Sequence, residues 1–137
     1  MIALAPIIAQ LKDAGYGHVE GLLEFAQLTA PPRNLPACFV VPERTASEGA
    51  PRIGAYDQKV TVLLSVVIVM AAPGRDPTRA SEQLKAEIDR VHGALFGWQH
   101  PEAASGCMLA GGRLVDLDAA TISWSESFTC HYRKRKT

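Results

Sequence analysis

Gln58-Lys59-Val60-Thr61-Val62-Leu63-Leu64-Ser65-Val66-Val67-Ile68-Val69-Met70 is the most strongly patterned run in this chain. β-Branched residues dominate it, which suits a pleated ladder. Val60, Val62, Leu64, Val66, Ile68 and Met70 fall on one face of an extended chain, and Leu63, Val67 and Val69 add apolar side chains to the other. Both faces are apolar toward the C-terminal end, so both are expected to be covered there. At ~3.3 Å per residue the run spans roughly 43 Å, whereas a folded chain of this size has a diameter of about 37 Å. Two outcomes stay open: a strongly twisted internal strand, or a strand end that projects with its apolar side chains and needs a partner.

Upstream, Glu43–Tyr56 contains Gly49, Pro51 and Gly54, several small polar residues and no apolar period. It reads as a connection of about 14 residues, longer than most loops and of the kind that is functional or mobile. Ala37–Val41, between Pro36 and Pro42, reads as a short strand. His18–Ala30 fits either a strand or a short helix through Val19, Leu22, Leu23 and Phe25, and Ala30-Pro31-Pro32-Arg33-Asn34 ends it. Leu4, Ile7, Ile8 and Leu11 recur at helical spacing before Gly15, so a helix is expected over Ile2–Ala14. Pro6 falls in its first turn, where proline is tolerated.

Downstream, Ala71–Arg75 is a loop and Asp76-Pro77 is a helix start. Leu84, Ile88, Val91 and Leu95 form a helical stripe over Thr78–Phe96, with Glu82–Lys85 and Glu87–Arg90 as i,i+3 pairs on the wet face. Gly97 ends the helix, and Trp98 is expected to be largely buried beneath it. Gly111-Gly112 reads as a tight turn between Met108–Ala110 and Arg113–Leu117. Thr121–Tyr132 alternates: Ile122, Trp124, Phe128, Cys130 and Tyr132 share one face, Ser123, Ser125, Ser127, Thr129 and His131 the other, and Glu126 is the exception on the apolar side. These elements predict an α+β fold in a single domain, residues 1–137, with a mainly antiparallel or mixed sheet and two helices packed on one face.

Composition excludes more than it identifies. With 137 residues, 47% hydrophobic and 20% charged, the chain can bury a core without staples. Met1–Leu11 lacks the basic leading region of a signal peptide, and Val60–Ala72 is too short to span a bilayer as a helix, so a soluble intracellular protein is expected. Cys38, Cys107 and Cys130 are odd in number and far apart, and read as small buried hydrophobes. Net charge is zero, yet Arg133, Lys134, Arg135 and Lys136 crowd the C-terminus. Such a tail can bind phosphate, but reads first as a solvated end.

No catalytic, cofactor or metal site is expected. Asp116 and Asp118 are too few to hold an ion. His18, His92, His100 and His131 are scattered without HxxxH or HExxH spacing. Ser123, Ser125 and Ser127 lie outside any GxSxG pattern, and Gly111-Gly112 is no phosphate loop. Aromatics make up 7%, without a basic-aromatic platform for nucleic acid.

The chain nevertheless resembles a known family. Ile7-Ile8-Ala9-Gln10-Leu11-Lys12, Leu35-Pro36-Ala37-Cys38-Phe39-Val40-Val41-Pro42, Gln58-Lys59-Val60-Thr61-Val62 with Val66-Val67-Ile68-Val69, Leu95-Phe96-Gly97-Trp98, Gly111-Gly112-Arg113-Leu114 and Trp124 through Tyr132 arrive in the order seen in small tail terminator proteins of long-tailed and Mu-like phages. The resemblance implies an α+β subunit of a hexameric ring in the virion tail, assembled in the host cytoplasm. That ring would cap the tail-tube protein, stop its polymerisation and face the head-side connector. It implies no enzyme, cofactor or membrane, and DNA only as cargo through the lumen.

The family carries no interface motif, so contacts are inferred physically. Glu43, Arg44, Arg52, Tyr56, Gln58 and Lys59 are expected to meet a neighbouring subunit or the tail tube. Arg133, Lys134, Arg135 and Lys136 are expected to be peripheral, against a polyanion if anything. A head–tail completion protein is the alternative within the class. A nucleic-acid module using the basic end, or an enzyme with a Ser/His/Asp site assembled in space, are the alternatives outside it.

Overall fold

The two strongly patterned runs, Gln58–Met70 and Thr121–Tyr132, are strands as expected, and both run further than their patterns suggest. A computed structural model describes residues 1–21, 34–49, 56–74 and 76–136. Its elements are α1 (Ala5–Asp13), β1 (His18–Glu20), β2 (Ala37–Ser47), β3 (Tyr56–Ala71), α2 (Pro77–Leu95), β4 (Met108–Leu117) and β5 (Thr121–Lys136). The strands form one sheet in the order β1-β2-β3-β5-β4. β1 runs parallel to β2 and the other neighbours are antiparallel. This is the expected α+β class with a mixed sheet.

Both helices lie on one face. Ile7 and Leu11 of α1 and Val91, Ala94 and Leu95 of α2 share a core with Cys38, Val40, Val62, Leu64, Val66, Ile68, Phe128 and Cys130. Asp76 caps α2 by accepting from the backbone N–H groups of Thr78 and Arg79, and Pro77 follows at the first helical position. The opposite face has its own smaller cluster of Ala37, Phe39, Val67 and Val69. Ser65 through Met70 are therefore buried whichever way their side chains point. All three cysteines are free and buried. Burial pushes the Cys38 thiol up to about 12, so it behaves as a small hydrophobe.

Glu126 sits on the apolar face of β5 and is buried. Its carboxylate accepts from Trp124 Nε1 at 3.3 Å and lies 3.4 Å from His92 Nε2. Room for it comes from Gly112 on β4, where an added Cβ would fall 2.6 Å from Glu126 Oε1.

Several expectations need correction. Gly111-Gly112 is not a turn: it lies inside β4, at a register shift between Leu109 and Gly111. Gly111 has φ +110°, a conformation that a bulge demands and glycine tolerates. The strand expected to end at Val41 runs on to Ser47, because β3 offers it a continuous antiparallel partner from Val69 to Val60, with a bulge between Pro42 and Arg44. The first part of the expected loop is therefore sheet, while 50–55 lie outside the described residues. So do 22–33, with most of the ambiguous element after Glu20 and the Pro-Pro stretch that ends it, and Arg75 in the expected Ala71–Arg75 loop. Lys85 pairs with Asp89 at 2.7 Å rather than with Glu82, one turn along the same helix, whereas Arg90 meets Glu87 at 3.5 Å as expected. Trp98 is half-buried: it packs against the core and edge-on to His100, at a margin where Phe96 and Gly97 are exposed.

Candidate functional site

The basic C-terminus, expected as a solvated end, forms the last part of β5. Lys136, Arg135, Lys134 and Arg133 stand in register with Tyr56, Asp57, Gln58 and Lys59 of β3. On the other side of β3, Ser47 and Ala46 of β2 pair with Val60 and Thr61. Past Val60, every described residue of these three strands is exposed or half-buried. The long strand is buried on two faces at one end, and at the other it joins β2 and β5 in an exposed three-stranded arm.

This arm unites two groups of residues that the sequence kept apart. Tyr56, Gln58 and Lys59 lie directly beside Lys136, Lys134 and Arg133. Gln58 donates through Nε2 to the Gly49 carbonyl at 2.8 Å, and Lys59 Nζ lies 3.9 Å from Glu48. Glu43, at the bulge, accepts from Ser65 Oγ at 2.5 Å, and Ser65 in turn contacts Ser127 Oγ at 2.9 Å. Glu43 is thus partly engaged in anchoring the strand, whereas Arg44 is exposed opposite Leu63. Arg52 lies outside the described residues.

The arm's electrostatics are dominated by cations. Arg44, Lys59, Arg133, Lys134, Arg135 and Lys136 stand on these strands against three acids, Glu43, Asp57 and, just past β2, Glu48. Asp57 accepts from Arg133 Nε at 2.8 Å and from Arg135 Nε at 3.3 Å. The Arg133 guanidinium holds the Asp57 carboxyl below its usual range. Two cations share one carboxylate, so the arm keeps a positive surplus that its own acids do not neutralise.

The other described residues offer little catalytic geometry. Among the described residues no group of three His, Cys, Asp or Glu side chains could hold a metal ion, and no serine hydroxyl is hydrogen-bonded to a histidine ring. Asp118 is spent on a turn: it accepts from the backbone N–H groups of Ala120 and Thr121 at 2.7 and 2.8 Å. His100 is buried and used structurally. No helix among the described residues is long and apolar enough to cross a membrane.

Sequence reasoning missed one surface. Every residue of β4 is exposed, including Met108, Leu109, Leu114, Val115 and Leu117. Reading Gly111-Gly112 as a turn divided this strand into two short pieces and hid its length. The available signal was the apolar content on both sides of the glycines, which a two-residue hairpin has no reason to carry.

A family model described as "Phage tail terminator protein" matches residues 1–137. No curated protein matches the chain.

Proposed function

The chain belongs to the phage tail terminator family, a family of structural tail-assembly proteins, and from this premise we propose that it forms a ring that caps the tail tube. The ring stops tube polymerisation and presents its free surface to the head-side connector. The subunit acts without catalysis or cofactor, since a cap needs two specific faces and repeated self-contacts. A hexamer is the stoichiometry this reading takes.

The observation that carries the proposal is the exposed arm. A three-stranded sheet end with Tyr56 open to solvent and a surplus of cations stabilises the isolated subunit little, because it buries almost no apolar area. Such a surface suits contact with other chains. In this reading Glu43, Arg44, Tyr56, Gln58 and Lys59, with Arg52 nearby in sequence, meet a neighbouring subunit or the last ring of the tube. Arg133, Lys134, Arg135 and Lys136 lie beside them and add an attraction for anionic surfaces, including DNA in transit through the lumen.

The test is tail-length control. Subunits in which Tyr56→Ala and Lys59→Glu are combined should fold normally, leave tube growth unchecked and fail to join heads. Normal tails of fixed length from that variant would refute the assignment of the arm. A head–tail completion role predicts instead that tube length stays controlled while only joining fails.

A further inference from the structure

We propose that Cys107 and Cys130 are a modification site: a thiol pair that an oxidant of the peroxide class closes into a disulfide, fixing the edge strand β4 to β5.

The first ground is register. Met108 stands opposite Thr129 and Leu109 opposite Phe128, so one step earlier in the same ladder Cys107 comes opposite Cys130. The backbone of Cys107 is turned away from β5. Its N–H donates to the Trp98 carbonyl and its carbonyl accepts from the Gly97 N–H, both at 2.8 Å. The two cysteines therefore form a non-hydrogen-bonded antiparallel pair, in which Cα atoms lie ~4.5 Å apart. A disulfide bridges Cα separations of roughly 4.4–6.8 Å.

The second ground is direction. Met108 opens to solvent, and strand alternation turns Cys107 inward. Cys107 and Cys130 both belong to the core beneath the helices, so their side chains stand on the same face of the sheet. The thiols hydrogen-bond each other there, which pushes the Cys107 thiol up and draws the Cys130 thiol down. Cys38 has no part in the pair. It lies on β2, separated from β5 by β3, and its thiol hydrogen-bonds Tyr16. The odd cysteine count thus resolves into one pair and one single residue.

The third ground is position. Both thiols are buried, so their oxidation waits on a local opening. β4 is the place for one: it is an edge strand with a single neighbour, exposed along its whole length. Phe96, bridged to Cys107, is exposed as well. Elements held this lightly open without unfolding the whole chain. A covalent tie just before the first rung of β4 opposes that opening.

The chemistry balances. Cys130, the lower of the two thiols, supplies the thiolate. It attacks one peroxide oxygen, the O–O bond breaks, and a sulfenic acid forms. The other oxygen leaves as hydroxide and takes up the proton that the thiol released. The Cys107 sulfur then attacks the sulfenic sulfur: the S–S bond forms, the S–O bond breaks, and hydroxide leaves with the Cys107 proton as water. Two thiols are oxidised to one disulfide, and one peroxide is reduced to two waters. The occasion for this step rests on the tail reading above. A chain assembled in a reducing cytoplasm keeps its thiols, and a released particle enters a medium where disulfides persist. The pair itself does not depend on that reading.

The experiment treats the folded full-length chain with hydrogen peroxide, counts thiols by alkylation after denaturation, and maps linked peptides. Three thiols should fall to a single one, with Cys107 joined to Cys130 inside one chain and Cys38 alkylated. C38S should still close, whereas C107S and C130S should not. In the oxidised chain the amides of Met108 and Leu109 should exchange several-fold more slowly and the melting temperature should rise by several degrees. Dithiothreitol should reverse both. Cys107 and Cys130 left free at a dose that converts exposed Met108 to its sulfoxide would overturn the proposal. So would a link through Cys38, or links only between chains. The wild-type map decides the matter even if a serine variant fails to fold. Tails alkylated before and after release complete the test: free thiols before and the linked pair after are expected. Free thiols in released tails would overturn the proposal. A chain missing from the tails altogether would sink the tail reading instead, and the result on the purified chain would stand.

Discussion

Arg133 donates through its guanidinium Nε to Asp57 Oδ1 at 2.8 Å, tying the end of β5 to the start of β3 across 76 positions of sequence. Arg135 reaches the same oxygen at 3.3 Å. The pair is exposed, so solvent screens it and its contribution to stability is small. Its effect on the carboxyl is measurable all the same. Asp57 titrates below the ordinary value of 3.8, chiefly because Arg133 hydrogen-bonds the charged form. A carboxyl lowered in the folded state stabilises the fold above its unfolded value and loses that contribution as pH falls through the lower folded value. An NMR titration of Asp57 should therefore give a midpoint below 3.8, and Arg133→Ala should raise it. An unchanged midpoint in that variant would show that the contact does not persist in solution.

Removing residues 133–137 should hardly change the melting temperature. The removed strand end buries no apolar side chain, since Arg133–Lys136 are exposed. It does remove the ladder partners of Tyr56–Lys59. Backbone amides of Tyr56–Lys59 should then exchange with solvent much faster, while those of Val66–Met70 stay protected. A drop of many degrees would mean that the basic end supports the core.

His100 holds the N-terminal segment to the chain after α2. The ring is fully buried, its Nε2 donates to the Ala3 carbonyl at 2.7 Å, and its Nδ1 accepts from the Glu102 N–H at 2.9 Å. This arrangement selects the neutral ring with its proton on Nε2. His100→Ala leaves both backbone groups unpartnered and opens a void, at a cost of about 3 kcal/mol. Urea denaturation measures it, and a loss within about 0.5 kcal/mol would show that water replaces both bonds.

Much of the fold was legible because burial on β3 and β5 is written as period-two alternation, and on α2 as a stripe through Leu84, Ile88, Val91 and Leu95. Even Glu126 showed as the odd residue on an apolar face, although nothing local revealed Trp124, His92 and the gap above Gly112 as its setting. The parts that were not legible depend on long-range pairing. Glu43–Ser47 has no apolar period because that end of the sheet is wet on both faces, so it reads as loop although β3 pairs with it. The basic end has no period for the same reason. Gly111 in β4 carries the local signature of a turn, and only the neighbouring β5 decides that it is a bulge. His100 reads as one of several scattered histidines until the fold brings Ala3 beside it. In the candidate site, the composition of each piece was visible, but their union in one arm comes from the β3–β5 register.

The most direct test of the assembly role is to add the purified chain to growing tail tubes and image the ends. Tubes should stop at a defined length, each with one closed ring of this protein at a single end, and those ends should be the ones that accept heads. Tubes that elongate without limit in its presence, with no density at either end, would contradict it.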